Sequence, residues 1–119
     1  MSDYLKLNVK KGHALINPDR IVYVEASNKH SIICLNDQKK IELKSSLKYI
    51  EAILDEPVFY RIHDSFIINC FYFESIYNLR VILQGNFEVP ISRYKKQLFE
   101  KNLEKYYNLI ESVSNTSEK

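Results

Sequence analysis

The sequence predicts a mainly β fold of antiparallel strands, with one short internal helix and a longer helix at the C-terminus. Three observations carry this. Much of the first two thirds consists of short β-branched and aromatic runs separated by Asn, Asp, Gly and Pro. Only two stretches place apolar residues at helical spacing. Strands and helices do not alternate regularly, which argues against a doubly wound parallel sheet.

Residues 4–9 (Tyr-Leu-Lys-Leu-Asn-Val) alternate apolar and polar, and Lys11-Gly12 turns the chain into His13–Ile16. Asn17-Pro18-Asp19 breaks the pattern. Ile21–Val24 is apolar on both faces and predicts a central strand. Ser27-Asn28-Lys29 predicts a turn into a strand from His30 to Leu35. Asn36-Asp37 turns into Lys39–Leu43, where Ile41 and Leu43 alternate with charge. Ser45 or Ser46 caps a short helix whose stripe is Leu47, Ile50 and Leu54. Asp55-Glu56-Pro57 ends it, because a residue before proline avoids the helical region. Further strands are predicted over Glu74–Tyr77, Leu79–Gln84 and Phe87–Val89, the last two joined by a Gly85-Asn86 hairpin turn. Pro90 places the end of that strand at an edge. Ser92 is the expected N-cap of a final helix, with Phe99, Leu103, Tyr106 and Ile110 inward and a supporting Lys96–Glu100 pair.

A chain of 119 residues is one domain's worth, so residues 1–119 are expected to form one domain. Its polar tail, 112–119, is expected to fray. Net charge is +2, so any nucleic-acid surface is local rather than global. Cys34 lies in the apolar run Ile32–Leu35 and reads as core. Two cysteines and three histidines show no metal-ligand spacing, so no metal and no cofactor are expected. The start, Met1-Ser2-Asp3-Tyr4, does not read as a signal peptide, and no apolar run is long enough to span a membrane. A cytoplasmic protein is expected, without a membrane partner or a small-molecule substrate. His63 and Ser65 are close in sequence, but nothing resembles a nucleophile turn, and two isolated glycines exclude a phosphate loop. No enzyme activity is expected.

Polar and basic residues collect instead at predicted turns and element ends: Asn28, Lys29 and His30; Arg61, His63 and Asp64; Asn69; and Ser92, Arg93, Lys95 and Lys96. Cations neutralise phosphates, and donors at groove edges read bases. The last group joins three cations to an expected helix N-terminus, which suits an anion twice over.

The segment from Phe59 to Asn69 is the most informative part of the chain. Arg61, His63, Asp64 and Ser65 interrupt two apolar pieces, as turn residues do. Phe59, Arg61, His63, Ser65 and Asn69 fit the pattern F-x-R-x-H-x-S-x-x-x-N. Upstream stand an apolar strand ending in Glu25, a polar His30 opening the next strand, and a small helix from Ser46 to Leu54. Downstream stands Pro90-Ile91-Ser92-Arg93, leading into the final helix. Together these resemble the LytTR family of bacterial DNA-binding domains, response-regulator output domains, with a core from about residue 16 to 107.

The resemblance implies an elongated β-β-β arrangement of small antiparallel sheets. It also implies a sequence-specific transcriptional regulator whose loops enter successive major grooves of double-stranded DNA, as two copies at paired direct repeats. Carried over by position, base contacts fall on His30, Asp64 and Arg93. Phosphate contacts fall on Lys29, Arg61, His63, Lys95 and Lys96, while Ser65 and Asn69 shape the loop. His30 also reads as an ordinary strand-edge histidine, and His63 as a structural one. Asp64 departs from the family, which usually carries a cation or an amide there. A carboxylate either accepts from cytosine N4 or pairs with Arg61 or a lysine and stays off the DNA. That departure and the low net charge motivate the alternative of a β-rich protein-interaction module with weak or lost DNA binding. Many members attach this domain to a receiver domain, for which 119 residues leave no room.

Overall fold

Among the described residues, ten strands and two helices build two antiparallel sheets that share a pair of cores. A computed structural model describes residues 4–117, with side chains to 112. In chain order the elements are β1 (Leu5–Val9), β2 (Gly12–Ile16), β3 (Ile21–Ser27), β4 (His30–Leu35), β5 (Lys40–Leu43) and α1 (Leu47–Ile53). There follow β6 (Phe59–His63), β7 (Phe66–Asn69), β8 (Phe73–Tyr77), β9 (Arg80–Leu83), β10 (Phe87–Pro90) and α2 (Lys96–Ser117). Single 3-10 turns cover Pro18–Arg20, Cys70–Tyr72 and Arg93–Lys95. The large sheet has the order β2-β1-β5-β4-β3-β7-β6, and the small one β10-β9-β8. The β1–β2 hairpin joins the large sheet through the single pair Val9 and Leu43, so the fold reads as three small antiparallel groups. Its extents of 45 × 37 × 25 Å make it longer than it is thick.

The apolar alternation decides the layering. Val24, Ile33, Leu43, Phe59 and Ile67 face one core, closed by Leu47 and Ile50 of α1 and by Leu7 and Ile16 of the β1–β2 hairpin. Val22, Ile62 and Ile68 face a second core, closed by Val81, Leu83 and Val89 of the small sheet and by Phe99, Leu103 and Tyr106 of α2. Strands β3, β6 and β7 are buried on both faces, which is why Ile21–Val24 is apolar throughout. A bulge between Ile21 and Tyr23 swings Ile21 into the first core.

Ser46 caps α1 by accepting from Tyr49 N–H at 3.2 Å. Ser46→Ala is expected to cost about 1 kcal/mol of stability in urea unfolding. Cys34 and Cys70 are free and buried, Cys34 in β4 paired with Tyr23 and Cys70 in the second core. Burial pushes the Cys70 thiol up to about 12, against a hydrogen bond from Asn102 that lowers it, and burial raises Cys34 too. The nucleophile is the thiolate, so neither thiol is expected to react with Ellman's reagent at pH 8 until denaturant frees both. Prompt reaction of the native protein would contradict this burial.

Several local expectations are corrected. Leu79 is not a strand residue: Asn78 and Leu79 have φ of 47° and 61° and form the two-residue turn between β8 and β9. The Leu79 side chain packs on the second core, and that burial offsets the strained backbone. The β9–β10 link has three residues, Gln84 to Asn86, with Gly85 at φ 93° and Leu83 paired to Phe87. Ile110 is 42% exposed, so the buried stripe of α2 ends at Tyr106. Helix α2 is described to Ser117, and residues 118 and 119 of the tail expected to fray lie outside the described residues.

Candidate nucleic-acid interface

Three polar loops lie along one edge of the molecule. The β3–β4 turn projects Asn28, Lys29 and His30, all exposed; Asn28 takes a left-handed φ of 57°, which a short amide side chain tolerates. Asp64 and Ser65 turn β6 into β7. The 3-10 turn Arg93–Lys95 precedes α2. Main-chain bonds fix their order. Ala26 N–H donates to Ser65 O at 2.8 Å, tying the first loop to the second. Ser92 N–H donates to Ile62 O at 2.9 Å, and Lys95 Nζ donates to Arg61 O at 3.3 Å, tying the third to the second. The sequence runs of these three loops are far apart, and the order β4-β3-β7-β6 makes them neighbours.

The middle loop is held from inside. A bulge at Ile62, between the pairs Arg61–Ile67 and His63–Phe66, buries Ile62 and re-aims the strand end. Arg61 Nη1 pairs with Glu51 Oε1 of α1 at 3.0 Å. Its Nε reaches His63 O at 3.3 Å, and Nη2 donates to Asp64 O. The guanidinium thus clamps two loop carbonyls against α1, and its side chain is only 24% exposed. His63 Nδ1 accepts from Ser65 N–H at 3.0 Å, and its ring stands edge-on to Phe66. In its neutral form that imidazole carries its hydrogen on Nε2, a remaining donor. Ser65 meets the ring through its main-chain N–H; a serine nucleophile would need its hydroxyl there.

Asp64 is exposed, and its carboxylate makes no ion pair among the described residues. The pairing with Arg61 that the sequence left open involves the Asp64 carbonyl oxygen, not the carboxylate. Lys29, Arg93 and Lys96 are exposed and likewise make no ion pair among the described residues. Lys95 is half-buried, with Nζ 5.8 Å from the centre of the Tyr60 ring.

Two expectations change at the third loop and at β7. Ser92 does not cap α2: it lies before the 3-10 turn and its side chain makes no capping bond. Three of the five N–H groups from Ser92 to Lys96 already have acceptors, in Ile62, Ser92 and Arg93, so the open helix N-terminus is mostly filled. Asn69 sits at the end of β7 away from the turn. Its Nδ2 donates to Ile21 O at 2.9 Å and its Oδ1 accepts from Phe71 N–H at 3.0 Å.

Sequence reasoning missed the neighbours of His30. Pairing of Ser31 with Leu43 brings Lys44 beside it, and Lys10 from the β1–β2 turn, Glu42 and Lys44 share with it a cleft of about 250 Å³. Only strand register puts these cations there, so no local signal marked them. Tyr94, 67% exposed between Arg93 and Lys95, was also passed over.

Residues 11–104 match the profile of the LytTr DNA-binding domain family. The fold is similar to a solved LytTr DNA-binding domain of a methyl-accepting/DNA response regulator from Bacillus cereus. The TM-score is 0.73 at 24% identity, over 87% of this chain and 98% of that one. Comparison with curated proteins gives no match.

Proposed function

The chain belongs to the LytTR family of DNA-binding domains, and from that premise we propose that it is a sequence-specific regulator that sets three loops into successive major grooves on one side of a duplex. The observation that carries this is the bonded row of loops. Ala26 to Ser65, Ser92 to Ile62 and Lys95 to Arg61 hold the β3–β4 turn, the β6–β7 turn and the Arg93–Lys95 turn as one rigid edge. Pre-set loops bind without the entropy cost of ordering them.

His30, Asp64 and Arg93 are the proposed base readers. Lys29, Lys95, Lys96 and the Nε2–H of His63 are the proposed phosphate contacts. Arg61 supports the site from behind, because Glu51 and two loop carbonyls already engage three of its five N–H donors and hold it toward α1. Lys10 and Lys44 add positive charge beside His30. Two copies bind at paired direct repeats.

Salt titration of DNA binding tests the reading. Neutralising phosphates releases counterions, so log affinity falls linearly with log salt at about −0.9 per phosphate. About four contacts per copy predict a slope of about −3 to −4. Affinity independent of salt would remove the DNA surface. Selection of bound duplexes from a random pool then reports the operator, and its repeat spacing tests the second copy.

A further inference from the structure

We propose that Asp64 makes this domain select a C·G base pair at its middle contact, with cytosine on the strand that Asp64 faces; this rests on the reading of the loop row as a DNA edge. An ionised carboxylate only accepts hydrogen bonds. In the major groove the donors are cytosine N4–H₂ and adenine N6–H₂. Adenine N6 lies beside the acceptor N7, which repels a carboxylate, whereas the cytosine amino group has only C5–H on its open side. Guanine offers two acceptors there, and thymine one acceptor and a methyl group. Cytosine is the base that a free carboxylate fits.

The structure leaves that carboxylate available. Asp64 is exposed at the apex of the β6–β7 turn, between the Asn28–His30 loop and the Arg93–Lys95 turn. No cation among the described residues neutralises it. The nearest candidate, Arg61, is drawn away to Glu51 and binds the Asp64 carbonyl instead. That bond, together with Ser65 N–H to His63 Nδ1, fixes the main chain on both sides of the Asp64 side chain. Lys29 on one flanking loop and Lys96 just after the other supply the charge that holds phosphates while a carboxylate enters the groove. An acidic residue there costs affinity for DNA in general and adds discrimination for one base.

The test is selection of bound duplexes from a random double-stranded pool by the wild type, Asp64→Asn and Asp64→Ala, with affinities of the winners measured at one salt concentration. The wild type is expected to fix cytosine at one position, with about tenfold weaker binding when that pair is changed. Asp64→Asn is expected to move that position to adenine, whose N6 and N7 an amide grips together, and to leave the other positions as they were. Asp64→Ala is expected to leave the position degenerate while binding non-specific DNA more tightly. If all three proteins select the same bases at every position, Asp64 does not read DNA and this inference falls, while the DNA-binding edge stands. If the wild type enriches no sequence, the edge and the inference fall together.

Discussion

Asn69→Ala is expected to lower the free energy of unfolding by about 2–4 kcal/mol, read as a lower urea midpoint at unchanged m-value. Asn69 is 2% exposed and serves a buried main-chain carbonyl and a part-buried main-chain N–H at once. Its amide donates to Ile21 O, just beyond the point where the β3–β7 ladder stops at Tyr23. Its carbonyl accepts from Phe71 N–H, which starts the 3-10 turn leading to β8. Alanine leaves both without a partner, at about 1–3 kcal/mol each before local relaxation, and leaves a small void. Asn69→Asp keeps the acceptor, loses the donor and buries a charge, so it is expected to be no milder than alanine at neutral pH. Below the temperature at which the alanine variant melts, its DNA affinity is expected to match the wild type, because Asn69 lies at the far end of β7 from Asp64. A loss below about 0.5 kcal/mol, the scale of an ordinary surface change, would show that the two bonds contribute little.

Asn69 also shows what a sequence can and cannot convey about a site. The F-x-R-x-H-x-S-x-x-x-N spacing marks the residue, but the motif does not say which end of the hairpin it serves. Double-sided burial was legible at Ile21–Val24, because only a strand between two cores is apolar on both faces. The α1 cap was legible because serine before an apolar helical stripe has one local job. Leu79 misled because leucine rarely takes positive φ, and only its packing against the second core makes that turn acceptable. Ser92 misled for a related reason: the expected helix begins one turn later, after a 3-10 turn flanked by Ser92 N–H to Ile62 O and by Lys96 N–H to Arg93 O. Lys10 and Lys44 were invisible as neighbours of His30, since strand register is a long-range outcome. Arg61 was legible as important and illegible in direction. Its sequence neighbours suggest an outward cation, and the Glu51 that turns it inward lies on α1, ten residues upstream.

Arg93→Ala is expected to weaken binding to the selected operator by about 1–3 kcal/mol, roughly 5- to 150-fold, and to relax one base position. Arg93 is exposed and makes no ion pair among the described residues, so its removal is expected to change folding stability by no more than about 0.5 kcal/mol. The turn that carries it is anchored on either side, through Ser92 N–H to Ile62 O and Lys95 Nζ to Arg61 O, so the guanidinium starts from a fixed base. A planar fork matches guanine O6 and N7 together, and a lysine ammonium does not. Arg93→Lys therefore separates charge from shape. It is expected to restore binding to non-specific DNA and the salt slope, but not the preference at the relaxed position. Lys96→Ala is the opposite control: a uniform loss across sequences with the slope reduced by about one, as a phosphate contact gives. If Arg93→Ala retained both affinity and sequence preference, base reading at this end would have to pass to another residue of the edge, with Tyr94 the next exposed side chain in line.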